Sequence, residues 1–248
     1  MLLLLARHGS TALTGKQLTG RLPGVHLSEE GKLQAEGLAE RLAVFRLKGV
    51  YSSPLERCLE TAGPVAARQR LPLGLVEELG EIHYGDWQGK PYNQLYRMKR
   101  WSELQARPAD FRFPNGETIR EAQNRAMRAI EGVSAKHARG AVLVVSHADL
   151  IRLIIAGYLG LGIDLYQRIS VGVASVSAIV LGDRVPRLLR MGDTGSLNDL
   201  AARLKIPPKP TSRKGAVRRL PSRPQASPAA RDPSGAAAEA SPDDEEEQ

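Results

Sequence analysis

The chain has 248 residues, a formal net charge of +8, one cysteine and 4% aromatic residues. This length allows a sizeable hydrophobic core, and a single cysteine excludes an internal disulfide framework. That cysteine, Cys58, lies in a predicted helix, where we expect a small buried thiol. Because no stretch approaches the roughly 18 apolar residues of a membrane span and no secretory leader is recognisable, we expect a cytoplasmic protein without membrane association.

The positive charge belongs to the first part of the chain. Residues 207–248 contain seven Lys or Arg and seven Asp or Glu, so residues 1–206 carry the net charge of +8. A basic folded domain suits an anionic small-molecule substrate. No nucleic-acid-binding motif accompanies the charge, so we expect contact with nucleic acid only as weak binding through the tail.

The chain begins with an apolar run that ends at residues able to bind or attack phosphate. Residues 2–5 are all leucine, and Arg7 and His8 follow. A short continuous apolar run is typical of a buried parallel strand, and ligands bind at the carboxyl ends of such strands. A second run, residues 142–146, ends in the same way at His147.

Helices and short strands alternate between and after these two runs. Ser28, followed by two glutamates, is typical of a helix N-cap. Leu33, Leu38 and Leu42 continue that helix at apolar spacing. Pro54 is expected at the first position of a second helix, where its missing N–H costs nothing. The other predicted elements are strands at 50–53 and 73–76, short helices within 87–116, helices at 117–137 and 150–159, and a closing pair of strands at 173–181 and 185–191.

This order of elements predicts an α/β fold. Strands that alternate with helices imply a three-layer sandwich, with a mostly parallel central sheet and helices on both faces. We expect the folded domain to span residues 1–199. Residues 200–248 are expected to form a disordered tail, because eight of the sixteen prolines fall in the last 42 residues and an acidic run occupies 243–247. Such a composition cannot bury enough apolar surface to offset the loss of chain entropy.

The residues at the strand ends suit phosphoryl transfer to histidine. This chemistry needs a neutral imidazole, cationic groups around the phosphoryl oxygens and an acid for the leaving oxygen. His8 supplies the imidazole and Arg7 a positive charge. Gly9 lets the backbone approach the phosphate, and Thr11 adds a hydroxyl group. Arg57, about one turn into the second predicted helix, offers a guanidinium fork that suits phosphate oxygens.

Five motifs follow one another along the chain. They are residues 7–11 (Arg-His-Gly-Ser-Thr), 20–31 (from Gly20 to the run Leu-Ser-Glu-Glu-Gly), 52–57 (Ser-Ser-Pro-Leu-Glu-Arg), 78–89 (Glu-Leu-Gly-Glu-Ile-His-Tyr-Gly-Asp-Trp-Gln-Gly) and 144–147 (Val-Val-Ser-His). In order and position they resemble the histidine phosphatase superfamily, also called the phosphoglycerate mutase-like family. The resemblance covers positions 2 to about 190. It implies a phosphoglycerate mutase-like fold and a phosphomonoesterase that uses no metal and no cofactor.

The resemblance also implies a role for each matching residue. His8 is the nucleophile that becomes phosphohistidine. Arg7, Arg57 and His147 form a positive cage around the phosphoryl group, and Glu81 is the proton donor. Further contacts to the substrate are expected from Gly9, Thr11, Gly20 and Ala148.

Several neighbouring residues stay open at this level. Glu77 and Glu78 are alternatives to Glu81 from the residues alone, and the roles of His26 and His83 are undecided. No Cys/His cluster or aspartate pair indicates a metal site. The glycine-rich loop at 15–24 lacks the Gly-Lys-Ser/Thr ending of a nucleotide-binding P-loop.

Three functions are compatible with these motifs. Hydrolysis of a small phosphorylated metabolite is favoured, because mutases of the family typically carry Glu-Arg-His-Tyr-Gly where this chain has Glu-Ile-His-Tyr-Gly at 81–85. A phosphomutase is the alternative, since residues 191–198 resemble a bacterial phosphomutase-like subgroup. A noncatalytic phosphate- or phosphoprotein-binding module is disfavoured by the presence of His8 and Glu81.

The sequence does not identify the substrate or the oligomeric state. Basic residues within 87–116 either recognise further anionic groups of a substrate or form a solvated face. They are Arg97, Lys99, Arg100, Arg107 and Arg112.

Overall fold

A six-stranded, mostly parallel sheet forms the centre of the molecule, as expected. The structure, a computed structural model, describes residues 1–182 and 185–203. The strands within these residues are β1 (Leu2–Arg7), β2 (Leu47–Ser52), β3 (Leu73–Leu75), β4 (Ala141–Ser146), β5 (Val176–Val180) and β6 (Arg187–Asp193).

The strand order is β3-β2-β4-β1-β5-β6, so β2, β4 and β1 lie side by side and their carboxyl ends lie close together. β1, β2, β3 and β4 run parallel, whereas β5 pairs antiparallel with both β1 and β6. The register places Arg7 opposite Ser146, and Ser52 opposite Val145. His8 and His147 therefore leave neighbouring strands at the same edge of the sheet.

Helices cover both faces of this sheet. They are α1 (Glu29–Leu42), α2 (Glu56–Gln69), α3 (Tyr92–Leu95), α4 (Lys99–Ala106), α5 (Ile119–Ala135), α6 (Ala148–Leu159) and α7 (Asn198–Arg203). Short 3-10 helices lie at Glu77–Leu79, Gly85–Trp87, Pro108–Asp110 and Ile163–Arg168. No helix in the described ranges is long and apolar enough to cross a membrane.

Alternate residues of the central strands pack into two separate hydrophobic cores, one on each face of the sheet. Leu3 and Leu5 of β1 pack with α5 and α6, whereas Leu2 and Leu4 pack with α1, α2 and α7. Because successive side chains of a strand point to opposite faces, a strand buried on both faces has no polar position. The continuous leucine run at 2–5 is explained by this double burial, and the three-layer prediction is confirmed.

Two local predictions about helices differ from the structure. α2 begins at Glu56 with Leu55 as its N-cap, so Pro54 precedes the helix instead of opening it. The helix starts two residues later than predicted because the backbone of Leu55 is still extended. Leu33 is 74% exposed, since it lies on the solvent side of α1. The N-cap prediction for Ser28 is confirmed, as its side chain accepts a hydrogen bond from the Gly31 N–H.

The packed part of the chain continues past the expected boundary at residue 199. α7 crosses that position, and Leu200 and Ala201 are buried in the core beside α1. Most of the predicted disordered tail, from residue 204 on, lies outside the described residues.

Two glycines of α1 predict opposite effects of the same substitution. A Cβ at Gly31 would lie 2.0 Å from the Ser10 carbonyl oxygen, whereas a Cβ at Gly37 meets nothing within 4 Å. We expect Gly31→Ala to lower the free energy of unfolding by about 1–3 kcal/mol through overpacking. Gly37→Ala should raise it by about 0.5–1 kcal/mol, because alanine loses less backbone entropy in a helix. Urea unfolding of both variants tests this, and equal stabilities would contradict the contact at Ser10.

Candidate active site

A cavity of about 330 Å³ opens at the carboxyl ends of β1, β2 and β4. Its walls come from the strand ends, from the loop that leads to α1, from the segment 81–113 and from α6. Three arginines line it together with one histidine and two carboxylic acids. These charged or titratable residues are Arg7, His8, Arg57, Glu81, Asp149 and Arg152.

The His8 imidazole is held as a neutral base with one nitrogen free. Its Nδ1 lies 2.7 Å from the Gly9 carbonyl oxygen. A carbonyl only accepts, so Nδ1 carries the proton and donates it, which leaves a lone pair on Nε2. Burial, together with the charges of Arg57 and Arg7, lowers the pKa of His8 to about 3. The ring therefore stays uncharged and nucleophilic at neutral pH.

The two predicted cage arginines have donors with no partner among the residues that the structure describes. Arg57 is fully buried; its Nη2 donates to the Gly20 carbonyl oxygen at 2.6 Å, while its Nε and Nη1 are unpaired. Arg7 donates from Nη1 to the Val171 carbonyl oxygen at 2.9 Å and keeps its Nε unpaired. An unsatisfied buried donor costs about 1–3 kcal/mol, so these groups are suited to an anionic ligand.

His147 lies beside the cage but behind the cavity wall. Its ring centroid is 5.3 Å from that of His8, and the residue is fully buried. Arg57 Nη2 donates to His147 Nδ1 at 3.1 Å, so Nε2 carries the proton and donates to Ser53 Oγ at 2.8 Å. Burial and the neighbouring charge of Arg57 hold the pKa of His147 well below its usual range. His147 is thus a neutral support of Arg57, and direct contact with a phosphoryl group stays a prediction.

The four predicted substrate-contact residues occupy different places. Thr11, Gly20 and Ala148 line the cavity. Gly9 is buried behind it, where its N–H donates to Thr61 Oγ1 at 3.0 Å. The structure therefore brings three of the four to the cavity, while Gly9 serves the turn that fixes His8.

Glu81 is the buried carboxyl group among the three candidate acids. Glu77 and Glu78 are exposed, whereas Glu81 is 7% exposed and lines the cavity. Burial, followed by the charge of Asp149, raises the pKa of Glu81 to about 7. A carboxyl group with such a pKa is able to both donate and accept a proton near neutral pH.

Two side chains of α6 line the cavity although the sequence motifs do not predict them. Asp149 accepts hydrogen bonds from the Tyr84 hydroxyl at 2.6 Å and from Arg152 Nη1 at 2.7 Å. Arg152 also has a buried Nε that finds no partner within residues 1–182 and 185–203. The available signal was the helical spacing of four residues between Ala148 and Arg152, because residues four apart lie on the same side of a helix.

The segment 87–116 contributes aromatic side chains to the cavity instead of the suggested basic ones. Tyr92 and Trp101 line it, and none of the five suggested basic residues does. Arg100 lies over the Phe111 ring, 5.1 Å from its centroid, and Arg112 pairs with Glu121 at 2.6 Å. These two arginines make contacts within segment 87–116 and with α5, and they do not reach the cavity.

The remaining histidines and the cysteine lie outside the cavity. His26 has a side chain 60% exposed and pairs with Glu60 at 2.5 Å, whereas His83 is half-buried. Cys58 is buried, as predicted, with its Sγ 3.4 Å from His147 Nε2. Within residues 1–182 and 185–203, no group of three or more His, Cys, Asp or Glu residues is arranged to hold a metal ion.

Comparisons with known proteins agree on one family. Residues 3–194 match the family model of the histidine phosphatase superfamily (branch 1). The chain is 30% identical over 205 residues to phosphoserine phosphatase 1 of Hydrogenobacter thermophilus, which covers 79% of this chain and 94% of the relative. It is also 30% identical over 213 residues to glucosyl-3-phosphoglycerate phosphatase of Mycolicibacterium vanbaalenii, covering 82% and 92%.

A solved structure shares the fold. Mycobacterial glucosyl-3-phosphoglycerate phosphatase in complex with VO3 superposes with a TM-score of 0.72 at 26% identity. The match covers 78% of this chain and 99% of that one.

The burial of Glu81 predicts a specific pH dependence of stability. Its pKa is about 7 in the folded protein against an ordinary value of 4.5, so folding favours the protonated form. The stabilisation is complete below about pH 4.5 and is lost as the pH rises through 7. Relative to Glu81→Gln, the wild type should lose up to about 3 kcal/mol of unfolding free energy over this range.

Urea unfolding at a series of pH values measures this difference. Titrating groups that do not interact with Glu81 are common to the two proteins and cancel in the comparison. Parallel stability curves for wild type and Glu81→Gln would contradict the raised pKa.

Proposed function

Since the chain belongs to the histidine phosphatase superfamily and is a phosphomonoesterase, we propose that it hydrolyses a small phosphorylated metabolite without a metal ion, through a phosphohistidine on His8. The observation that carries this proposal is the tautomer of His8. Because Nδ1 donates to the Gly9 carbonyl oxygen, the lone pair of Nε2 is free to attack phosphorus.

In the first step, His8 Nε2 forms a bond to phosphorus and the bond between phosphorus and the leaving oxygen breaks. Glu81 gives its proton to that oxygen, which leaves as an alcohol. The raised pKa of Glu81 supports this role, since the proton is still present near neutral pH. Arg7 and Arg57 direct their unpaired N–H groups at the phosphoryl oxygens, where negative charge accumulates.

In the second step, water replaces the alcohol. The Glu81 carboxylate takes a proton from water, the water oxygen bonds to phosphorus, and the bond from phosphorus to Nε2 breaks. Phosphate leaves, and both His8 and Glu81 return to their starting protonation states. His147 supports both steps by holding Arg57, and we retain as a proposal that it contacts the phosphoryl group directly.

The substrate is proposed to be a phosphate ester of a small organic molecule. Two relatives act, by their names, on phosphoserine and on glucosyl-3-phosphoglycerate. The cavity of about 330 Å³ has room for a phosphoryl group and a small leaving group between Tyr92, Trp101 and Arg152.

Hydrolysis of p-nitrophenyl phosphate in the presence of EDTA tests the proposal. Wild type should turn over, and His8→Ala should lower kcat/KM on the order of a thousandfold or more because the nucleophile is gone. His26→Ala is the matched control, since His26 is exposed and pairs only with Glu60 in the described part of the chain. Mass spectrometry of quenched wild type should locate a phosphoryl group on His8.

The other outcomes separate the alternatives. Folded wild type that shows no hydrolysis, but transfers a phosphoryl group from a bisphosphorylated sugar acid to His8, would indicate a phosphomutase. Neither hydrolysis nor phosphorylation of His8 would indicate a binding module. Activity that survives His8→Ala would overturn the phosphohistidine mechanism.

A further inference from the structure

Arg125 of α5 lies outside the cavity, yet it binds the backbone that carries Glu81. Its Nη1 donates to the carbonyl oxygens of Glu78 at 2.5 Å and Gly80 at 2.8 Å, and its Nη2 donates to that of Glu81 at 2.9 Å. The Arg125 side chain is only 12% exposed. A single guanidinium group therefore holds three carbonyls of one short segment.

Glu117, just before α5, fixes the orientation of this guanidinium. Its two carboxylate oxygens accept from Arg125 Nε at 3.0 Å and Nη2 at 2.7 Å, which is the bidentate arrangement. Glu117 also accepts from the His83 N–H at 2.8 Å and donates its own N–H to the His83 carbonyl oxygen at 3.0 Å. The pair thus holds the chain on both sides of Glu81.

A second guanidinium reaches the same point from the loop that leads to α1. Arg21 Nε donates to the Glu81 carbonyl oxygen at 2.8 Å, and its Nη2 lies 3.4 Å from Glu117 Oε1. Arg21 follows Gly20, whose carbonyl oxygen accepts from Arg57. The backbone at Glu81 is consequently tied to the loop that also holds a cage arginine.

The Glu81 carboxyl group itself is weakly anchored. In the described residues, its oxygen atoms accept one hydrogen bond, from the adjacent Ile82 N–H at 3.0 Å. The position of the carboxyl group is therefore set by the backbone from which the side chain extends. Since a misplacement of about 1 Å at a reacting group can cost about a hundredfold in rate, a firm backbone matters for proton transfer.

We propose that Arg125, oriented by Glu117, is a positioning residue that keeps the Glu81 carboxyl group within reach of the leaving oxygen. This inference rests on the proposed function, in which Glu81 is the acid. If the Arg125–Glu117 pair served stability alone, its loss would lower the activity towards all substrates equally. If the pair positions the acid, its loss lowers the activity mainly towards substrates whose leaving group needs a proton.

Two substrates of nearly the same shape separate these roles. The p-nitrophenolate ion leaves without protonation, whereas the more basic oxygen of phenyl phosphate depends on an acid. The value of kcat/KM reports the steps up to departure of the leaving group, so it isolates this proton transfer. The ratio of kcat/KM for phenyl phosphate to that for p-nitrophenyl phosphate is independent of the fraction of folded enzyme.

The variants are compared at a pH well below the Glu81 pKa of about 7, where Glu81 is protonated in every protein that keeps it. Glu81→Gln should lower the ratio on the order of a hundredfold, the usual size of general acid catalysis. Arg125→Gln should lower it about tenfold or more through misplacement of the carboxyl group. Arg125→Lys should fall between Arg125→Gln and wild type. Arg128→Gln, at an exposed position of the same helix, should leave the ratio unchanged.

Each result has a distinct meaning. An unchanged ratio in Arg125→Gln, with a reduced ratio in Glu81→Gln, would overturn the positioning role and leave the proposed function intact. An unchanged ratio in Glu81→Gln would instead overturn Glu81 as the acid. A reduced ratio in both variants, with Arg128→Gln like wild type, supports the inference.

Discussion

The site depends on burying two arginines next to two histidines. Arg7 and Arg57 stand against His8 and His147 in a region where the histidines and Arg57 are almost entirely removed from water. Burying further positive charge beside two arginines is costly, so titratable groups buried there are expected to be neutral. Both imidazoles are neutral, and each carries its single proton on the nitrogen that faces a protein acceptor. Burial and the charges of the arginines keep both rings unprotonated, and the positive charge of the two arginines attracts a phosphoryl group.

Much of this arrangement follows from short-range features of the sequence. The runs at 2–5 and 142–146 are apolar because β1 and β4 are buried on both faces. Since the two strands are parallel neighbours, their ends lie together at one edge of the sheet. The position of Arg57 was predictable from its spacing after that edge. The first residue of α2 was not predictable in this way, because it depends on the extended backbone conformation of Leu55.

Other features depend on contacts between distant parts of the chain. Asp149 and Arg152 face the cavity because α6 packs on the sheet in one orientation, and Asp149 is held there by Tyr84, far away in sequence. From the sequence, the basic residues of segment 87–116 could bind an anion. In the structure, Arg100 lies over the Phe111 ring and Arg112 pairs with Glu121 of α5. Charge alone gave no indication of which side chains would face inward.

The contact between Cys58 and His147 has a practical consequence. The thiol sulfur lies 3.4 Å from His147 Nε2, and burial raises the pKa of the thiol to about 12. It is therefore neither accessible nor ionised while the strand ends stay packed, and alkylation requires the fold to open. Because the chain has one cysteine, the rate at which a thiol reagent labels it measures how often this region opens, and tight occupancy of the cavity should slow that labelling.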